Sequence, residues 1–151
     1  MGQALSYLRR QIMKILVVDD EEDVREIITD FIVENFDIDV LQASTGMEAI
    51  NCLEGEKDIG LIIADYNFPD LGDGGVNGGG IYTFNLGNQN IPFFLFSAER
   101  PEDHQELDSF KLDNPLNTII GKPYDHTFTR EAIKKVIIAA QKRDKGSKTV
   151  T

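Results

Sequence analysis

The chain reads as an α/β protein: a five-stranded, parallel, doubly wound sheet in the order 2-1-3-4-5, of the flavodoxin-like type. Three observations predict it. Short, almost continuously apolar runs alternate with segments of helical periodicity, and continuous apolar character marks strands covered on both faces. The connections are mostly short, which favours a parallel sheet wrapped by its own crossover helices. Four of the apolar runs end in polar residues, Asp19 and Asp20, Asp65, Ser97 and Lys122, as expected where ligands bind beyond the carboxyl ends of strands.

Ile15-Leu16-Val17-Val18 is the first strand, and it runs into five acids, Asp19 to Asp23. The helix that follows repeats Val24, Ile27, Ile28, Phe31 and Ile32 at i, i+3, i+4, i+7 and i+8. Its dipole explains Glu21, Glu22 and Asp23 in the first turn, but not Asp19 and Asp20 on the strand end. Asp39 to Ala43 is a shorter, less apolar strand, expected nearer an edge. Thr45-Gly46-Met47-Glu48 matches a capping box and opens a helix to about Leu53. Gly55 to Asp58 turns into the third strand, Leu61-Ile62-Ile63-Ala64, which ends at Asp65 between Gly60 and Pro69. Residues 70–80 hold six of the chain's 13 glycines and predict a flexible loop, with no dinucleotide fingerprint. A short helix over Ile81–Leu86 precedes the strand Ile91 to Phe96, ending at Ser97-Ala98. A weakly amphipathic acidic helix is expected from Pro101 to about Phe110, then a strand Asn117 to Ile120 and Gly121-Lys122-Pro123. The last helix starts near Thr127, with Ile133, Val136, Ile137 and Ala140 on one face.

One domain is expected over residues 13–143, after an extension 1–12 and before a polar tail 144–151. Leu5, Leu8 and Ile12 share a helical face, so the extension also reads as a short docking helix. It lacks the pattern of a signal peptide. The net charge of −11 argues against nucleic-acid and anionic-membrane partners. No apolar run is long enough to span a bilayer. The single cysteine, Cys52, forms no internal disulfide and reads as a small apolar residue in a cytoplasmic protein. His104 and His126 have no partner at ligand spacing and read as surface residues.

Read alone, Asp65 is an ordinary turn residue. In the 2-1-3-4-5 order, however, the switch point lies between strands 1 and 3, where Asp20 and Asp65 converge. Three clustered carboxylates repel, by about 1–4 kcal/mol for a pair at about 4 Å. A divalent cation relieves that repulsion, and few carboxylates with waters and a phosphate is the usual magnesium arrangement. Asp65 then serves as a nucleophile on phosphorus, with the Lys122 ammonium and the Ser97 hydroxyl as charge partners for the phosphoryl oxygens.

Val17-Val18-Asp19-Asp20-Glu21, Asp65-x-Asn67-x-Pro69, Ser97-Ala98 and Gly121-Lys122-Pro123 together resemble the response-regulator receiver domains of two-component signalling, of the stand-alone chemotaxis type. The resemblance covers residues 14 to about 141. It implies that Asp65 accepts a phosphoryl group from a sensor histidine kinase or phosphotransfer protein. It also implies that Asp19, Asp20, Asp65 and the Asn67 carbonyl hold Mg2+, that Ser97 and Lys122 contact the phosphoryl oxygens, and that a downstream protein reads the result. The only chemistry implied is the domain's own phosphorylation and dephosphorylation. Asn67 and Glu99, two beyond the acceptor and two beyond Ser97, resemble the pair in regulators with brief signals. Two features depart from the family: Ile119 stands three before Lys122, where an aromatic switch residue is usual, and the loop after Pro69 is longer and richer in glycine.

Two rivals use overlapping logic. Haloacid-dehalogenase-like phosphatases share an Asp nucleophile, a Ser/Thr, a Lys and magnesium. They need a second Asp where Asn67 stands, and a nucleophile on the first strand. A receiver-like adaptor that is never phosphorylated would not need Asp19, Asp20, Asp65, Ser97 and Lys122 together, although Ile119 and the glycine loop suit it.

Overall fold

The computed structural model describes residues 13–65, 78–97, 109–121 and 124–149, with backbone alone at 78, 79, 97 and 144–149. The elements in chain order are β1 (Lys14–Val18), α1 (Glu22–Asn35), β2 (Val40–Ala43), α2 (Gly46–Gly55), β3 (Ile59–Asp65), α3 (Gly78–Asn88), β4 (Phe93–Ser97), α4 (Phe110–Asp113), β5 (Thr118–Gly121) and α5 (His126–Thr149). The five strands form one sheet, β2-β1-β3-β4-β5, with every pair parallel. The expected order is therefore the observed one, and β2 is an edge.

Alternate side chains of each strand feed two cores. Leu16, Ile62, Phe93 and Leu95 pack with α2, α3 and α4 through Ala49, Leu53, Ile81, Tyr82 and Phe110. Ile15, Val17, Leu61, Ile63, Phe94 and Phe96 pack with α1 and α5 through Ile28, Ile32, Ile133, Val136 and Ile137. Burial on both faces is why the strand sequences are continuously apolar. Half-buried Cys52 packs against the first of these cores, and burial pushes its thiol pKa up, which suits an inert packing residue.

Several boundaries shift from the expectation. β3 starts at Ile59, so Gly60 lies inside the strand instead of bounding it. A Cβ at Gly60 would lie 2.8 Å from the Cβ of Met13, beside the register shift between β1 and β3, and glycine is what admits that approach. Ile27 falls on the predicted apolar face of α1 yet is 56% exposed, so the buried stripe is narrower than the periodicity suggests. Glycines 78–80, expected in the flexible loop, form the first turn of α3; a helix ahead of Ile81 overrides their weak propensity. Residues 70–77 lie outside the described residues, as do 101–108 of the expected acidic helix. Phe110, expected as that helix's end, begins the four-residue α4. α5 continues as helix through the polar segment to Thr149.

The amino edge of the sheet is tied by buried amides. Asn117 Oδ1 accepts from the Phe93 amide at 2.8 Å, and Asn117 Nδ2 donates to the Phe110 carbonyl at 2.8 Å. Asn85 does the same for Ile91, accepting from its amide at 2.9 Å and donating to its carbonyl at 2.7 Å. The Tyr82 hydroxyl donates to Asp113, linking α3 to α4, and burial followed by this bond pushes the tyrosine pKa far up.

Candidate functional site

The carboxyl edge of the sheet carries the site, and the strand register builds it. Val18 pairs with Ala64, so the next residues, Asp19 and Asp65, stand level as β1 and β3 end. Asp65 pairs with Phe96, and Ser97, one step on, pairs with Gly121, the residue before Lys122. The backbone thus brings four strand ends to one edge. The Ser97 side chain, Asn67, Pro69, Glu99 and Lys122 lie outside the described residues.

Asp19, Asp20 and Asp65 converge: each offers a carboxylate oxygen, and the three lie within 4.8 Å of one another. Asp19 is 2% exposed, while Asp20 and Asp65 are half-buried. Burial of Asp19 is supported by the Glu21 amide, which donates to its Oδ1 at 2.9 Å, and its own amide donates to the Ala43 carbonyl at 3.2 Å. Acceptors this close repel unless a cation shares them. Magnesium binds oxygens at about 2.0–2.1 Å and keeps several waters, so opposite ligands span about 4.2 Å. The separations in the cluster, within 4.8 Å, are close to that span, and its all-oxygen donor set suits a hard divalent cation rather than zinc.

Arg25, four residues into α1, is a neighbour that sequence reasoning did not single out. Its Nη1 donates to the Asp19 carbonyl at 2.9 Å and its Nε donates to Gln42 Oε1 at 3.2 Å. The available signal was a lone cation two residues after a run of five acids. A second group also went unnoticed. Tyr124, two residues past Lys122, stacks on His126 at 4.9 Å and contacts Phe31 and Phe96 edgewise or tilted at 5.8 and 5.5 Å. Burial raises the Tyr124 pKa, so its hydroxyl stays protonated. His126 is exposed, as expected; His104 lies outside the described residues. Ile119 is half-buried and packs against the core on the α2, α3 and α4 side.

A doubly wound parallel sheet with three carboxylates converging at its switch point defines a class of α/β proteins whose ligand sites lie beyond the carboxyl ends of the strands. Within that class, the chain belongs to the response regulator receiver domain family, whose model matches residues 15–134. Among curated proteins it is similar to a chemotaxis protein CheY homolog of Campylobacter jejuni, 39% identical over 59 residues, covering 39% of this chain and 45% of that protein. It is equally similar to chemotaxis protein CheY1 of Helicobacter pylori, 39% identical over 59 residues, covering 48% of that protein. The match thus spans about half the length of the curated relatives. The fold is shared with a signal receiver domain of an HD domain-containing protein from Pseudomonas fluorescens, TM-score 0.71 at 14% identity, covering 86% of this chain and 98% of that one. It is also shared with a response regulator receiver protein from Pseudomonas putida, TM-score 0.68 at 21% identity, covering 82% and 96%. Among the described residues, no helix is long and apolar enough to cross a membrane.

Proposed function

We propose that this receiver domain is a phosphoacceptor that takes a phosphoryl group onto Asp65 and thereby switches the binding of a downstream protein. The donor is the phosphohistidine of a sensor histidine kinase or a phosphotransfer protein. An Asp65 carboxylate oxygen attacks phosphorus, the P–N bond breaks, and an acyl phosphate forms as the imidazole leaves and takes up a proton. Asp19, Asp20, Asp65 and the Asn67 carbonyl would hold Mg2+, which would supply neutralisation of charge on the phosphoryl group. The Ser97 hydroxyl and the Lys122 ammonium donate to the remaining phosphoryl oxygens. The domain turns over no other substrate, acts in the cytoplasm, and with a net charge of −11 engages neither nucleic acid nor anionic membrane.

The observation that carries this reading is the convergence of three carboxylates within 4.8 Å at the switch point of the sheet. Incubation with a small phosphodonor and magnesium, followed by intact mass, tests it. The wild-type chain gains a phosphate-sized mass and Asp65→Asn does not. A gain in both shows another acceptor; a gain in neither favours the adaptor. Steady release of phosphate from a small phosphomonoester would instead revive the phosphatase.

A further inference from the structure

Asp19 is held at three points. Its carboxylate accepts from the Glu21 amide, its amide donates to Ala43, and its carbonyl accepts from the Arg25 guanidinium. The carbonyl belongs to the peptide that leads into Asp20. Fixing the plane of that peptide fixes the direction in which Asp20 leaves the strand, because a planar peptide leaves only two soft torsions per residue. The guanidinium is itself anchored: its Nε donates to Gln42 Oε1, and Gln42 stands on β2 opposite Val17 of β1. A half-buried arginine therefore ties α1, the β1–α1 loop and β2 together at the cation site.

We infer that Arg25 is a positioning residue for the cation site: anchored on Gln42, it holds the Asp19–Asp20 peptide so that both carboxylates stay converged with Asp65. This rests on reading the acidic cluster as a magnesium site. Charge alone gives the opposite expectation. A guanidinium beside three carboxylates repels an incoming cation, so its removal would tighten magnesium binding if charge were its whole role. Glu48, whose pKa is lowered in part by Arg25, lies close enough to offset some of that charge. The planar fork matters for a second reason. Two N–H groups point to two different acceptors at once, which the single ammonium of lysine does not reproduce in the same geometry.

Calorimetric titration of the whole chain with magnesium chloride alone tests the inference, with melting temperatures recorded in metal-free buffer. Arg25→Gln and Arg25→Lys are each expected to weaken magnesium binding about tenfold, the low end for partners that orient metal ligands. Gln42→Ala, which keeps the charge and removes one anchor, weakens it less and in the same direction. Unchanged or tighter binding in Arg25→Gln, or full rescue by lysine, overturns the positioning role. If Arg25→Gln does not fold, Gln42→Ala decides: weaker binding supports the role and unchanged binding overturns it. A wild-type chain that binds no magnesium overturns the metal site and this inference together. Wild-type binding with indifferent variants overturns the inference alone, and mass gain at Asp65 is measured independently of both.

Discussion

At the scale of single residues, three carboxylates held within 4.8 Å of one another repel, and the proposed magnesium ion would relieve that repulsion. Asp20 is half-buried and lies past the end of β1, whereas Asp19 is buried, so loss of Asp20 disturbs packing less than loss of Asp19. Magnesium, binding the folded chain alone, raises stability by RT ln(1 + [L]/Kd), about 1.4 kcal/mol when its concentration is ten times Kd. Asp20→Ala is expected to melt at or above the wild-type temperature without metal, because one repelling charge is gone, and to lose most of the rise that millimolar magnesium gives the wild type. A differential scan with and without magnesium reads both; a wild-type chain indifferent to the metal counts against the site. These ligands were legible because strand-terminal acids are hard to explain otherwise. Arg25 was not, because its partners are a main-chain carbonyl and a residue 17 positions away in sequence. Nothing in periodicity reports a bond that exists only once β2 lies beside β1.

At the scale of elements, the strands were legible because a doubly covered strand advertises itself as an unbroken apolar run. The edges were less so, since a cap or a buried amide overrides local propensity. The capping box on α2 shows this in detail. Thr45 Oγ1 accepts from the Glu48 amide as expected, but Glu48 reaches back one residue further, to the Ser44 amide at 2.7 Å and its hydroxyl at 2.9 Å. Those bonds hold the Glu48 carboxyl below its ordinary range. A depressed folded pKa contributes stability that is full above the unfolded pKa, about 4.3 for Glu, and is lost as pH falls through the folded value. Urea denaturation should therefore find Glu48→Gln weaker than wild type above about pH 5, by less than about 1 kcal/mol for so exposed a group, with the gap closing in acid. Asn117 is the larger case. Asn117→Ala leaves the Phe93 amide and the Phe110 carbonyl unpaired in a dry environment, at about 1–3 kcal/mol each. The expected loss of about 2–6 kcal/mol is read by the same method, and a loss under about 1 kcal/mol would show that water replaces the amide.

At the scale of the whole molecule, a phosphoryl group on the proposed acceptor Asp65 would sit at one end of a sheet whose two faces lead to different helices. It would add about −1.5 to −2 charges at the edge where β3, β4 and β5 end. On the α1 and α5 face, the strands meet an apolar core and Phe96 lies against Tyr124. On the other face, Ile119 replaces the larger aromatic of the resemblance. It is β-branched and stiff at χ1, and it has no hydroxyl to exchange between two partners. The coupling through β5 is therefore expected to be weak, about 1 kcal/mol. The same face also carries α3, whose first turn is Gly78-Gly79-Gly80, each residue less favourable in a helix than alanine by about 0.8–1.0 kcal/mol. Among the described residues, it is the only helix start made of three consecutive glycines, and it follows β3, the strand that ends at the proposed acceptor Asp65. Elements that move in switching are drawn from the segments of low local stability. Amide exchange with and without a phosphoryl mimic plus magnesium should show protection rising more across Gly78–Leu86 than across the Ile119–Ile138 face. The reverse pattern, with strong protection on β5 and α5 and none in α3, would place the switch on β5 and overturn the role assigned to the glycine turn.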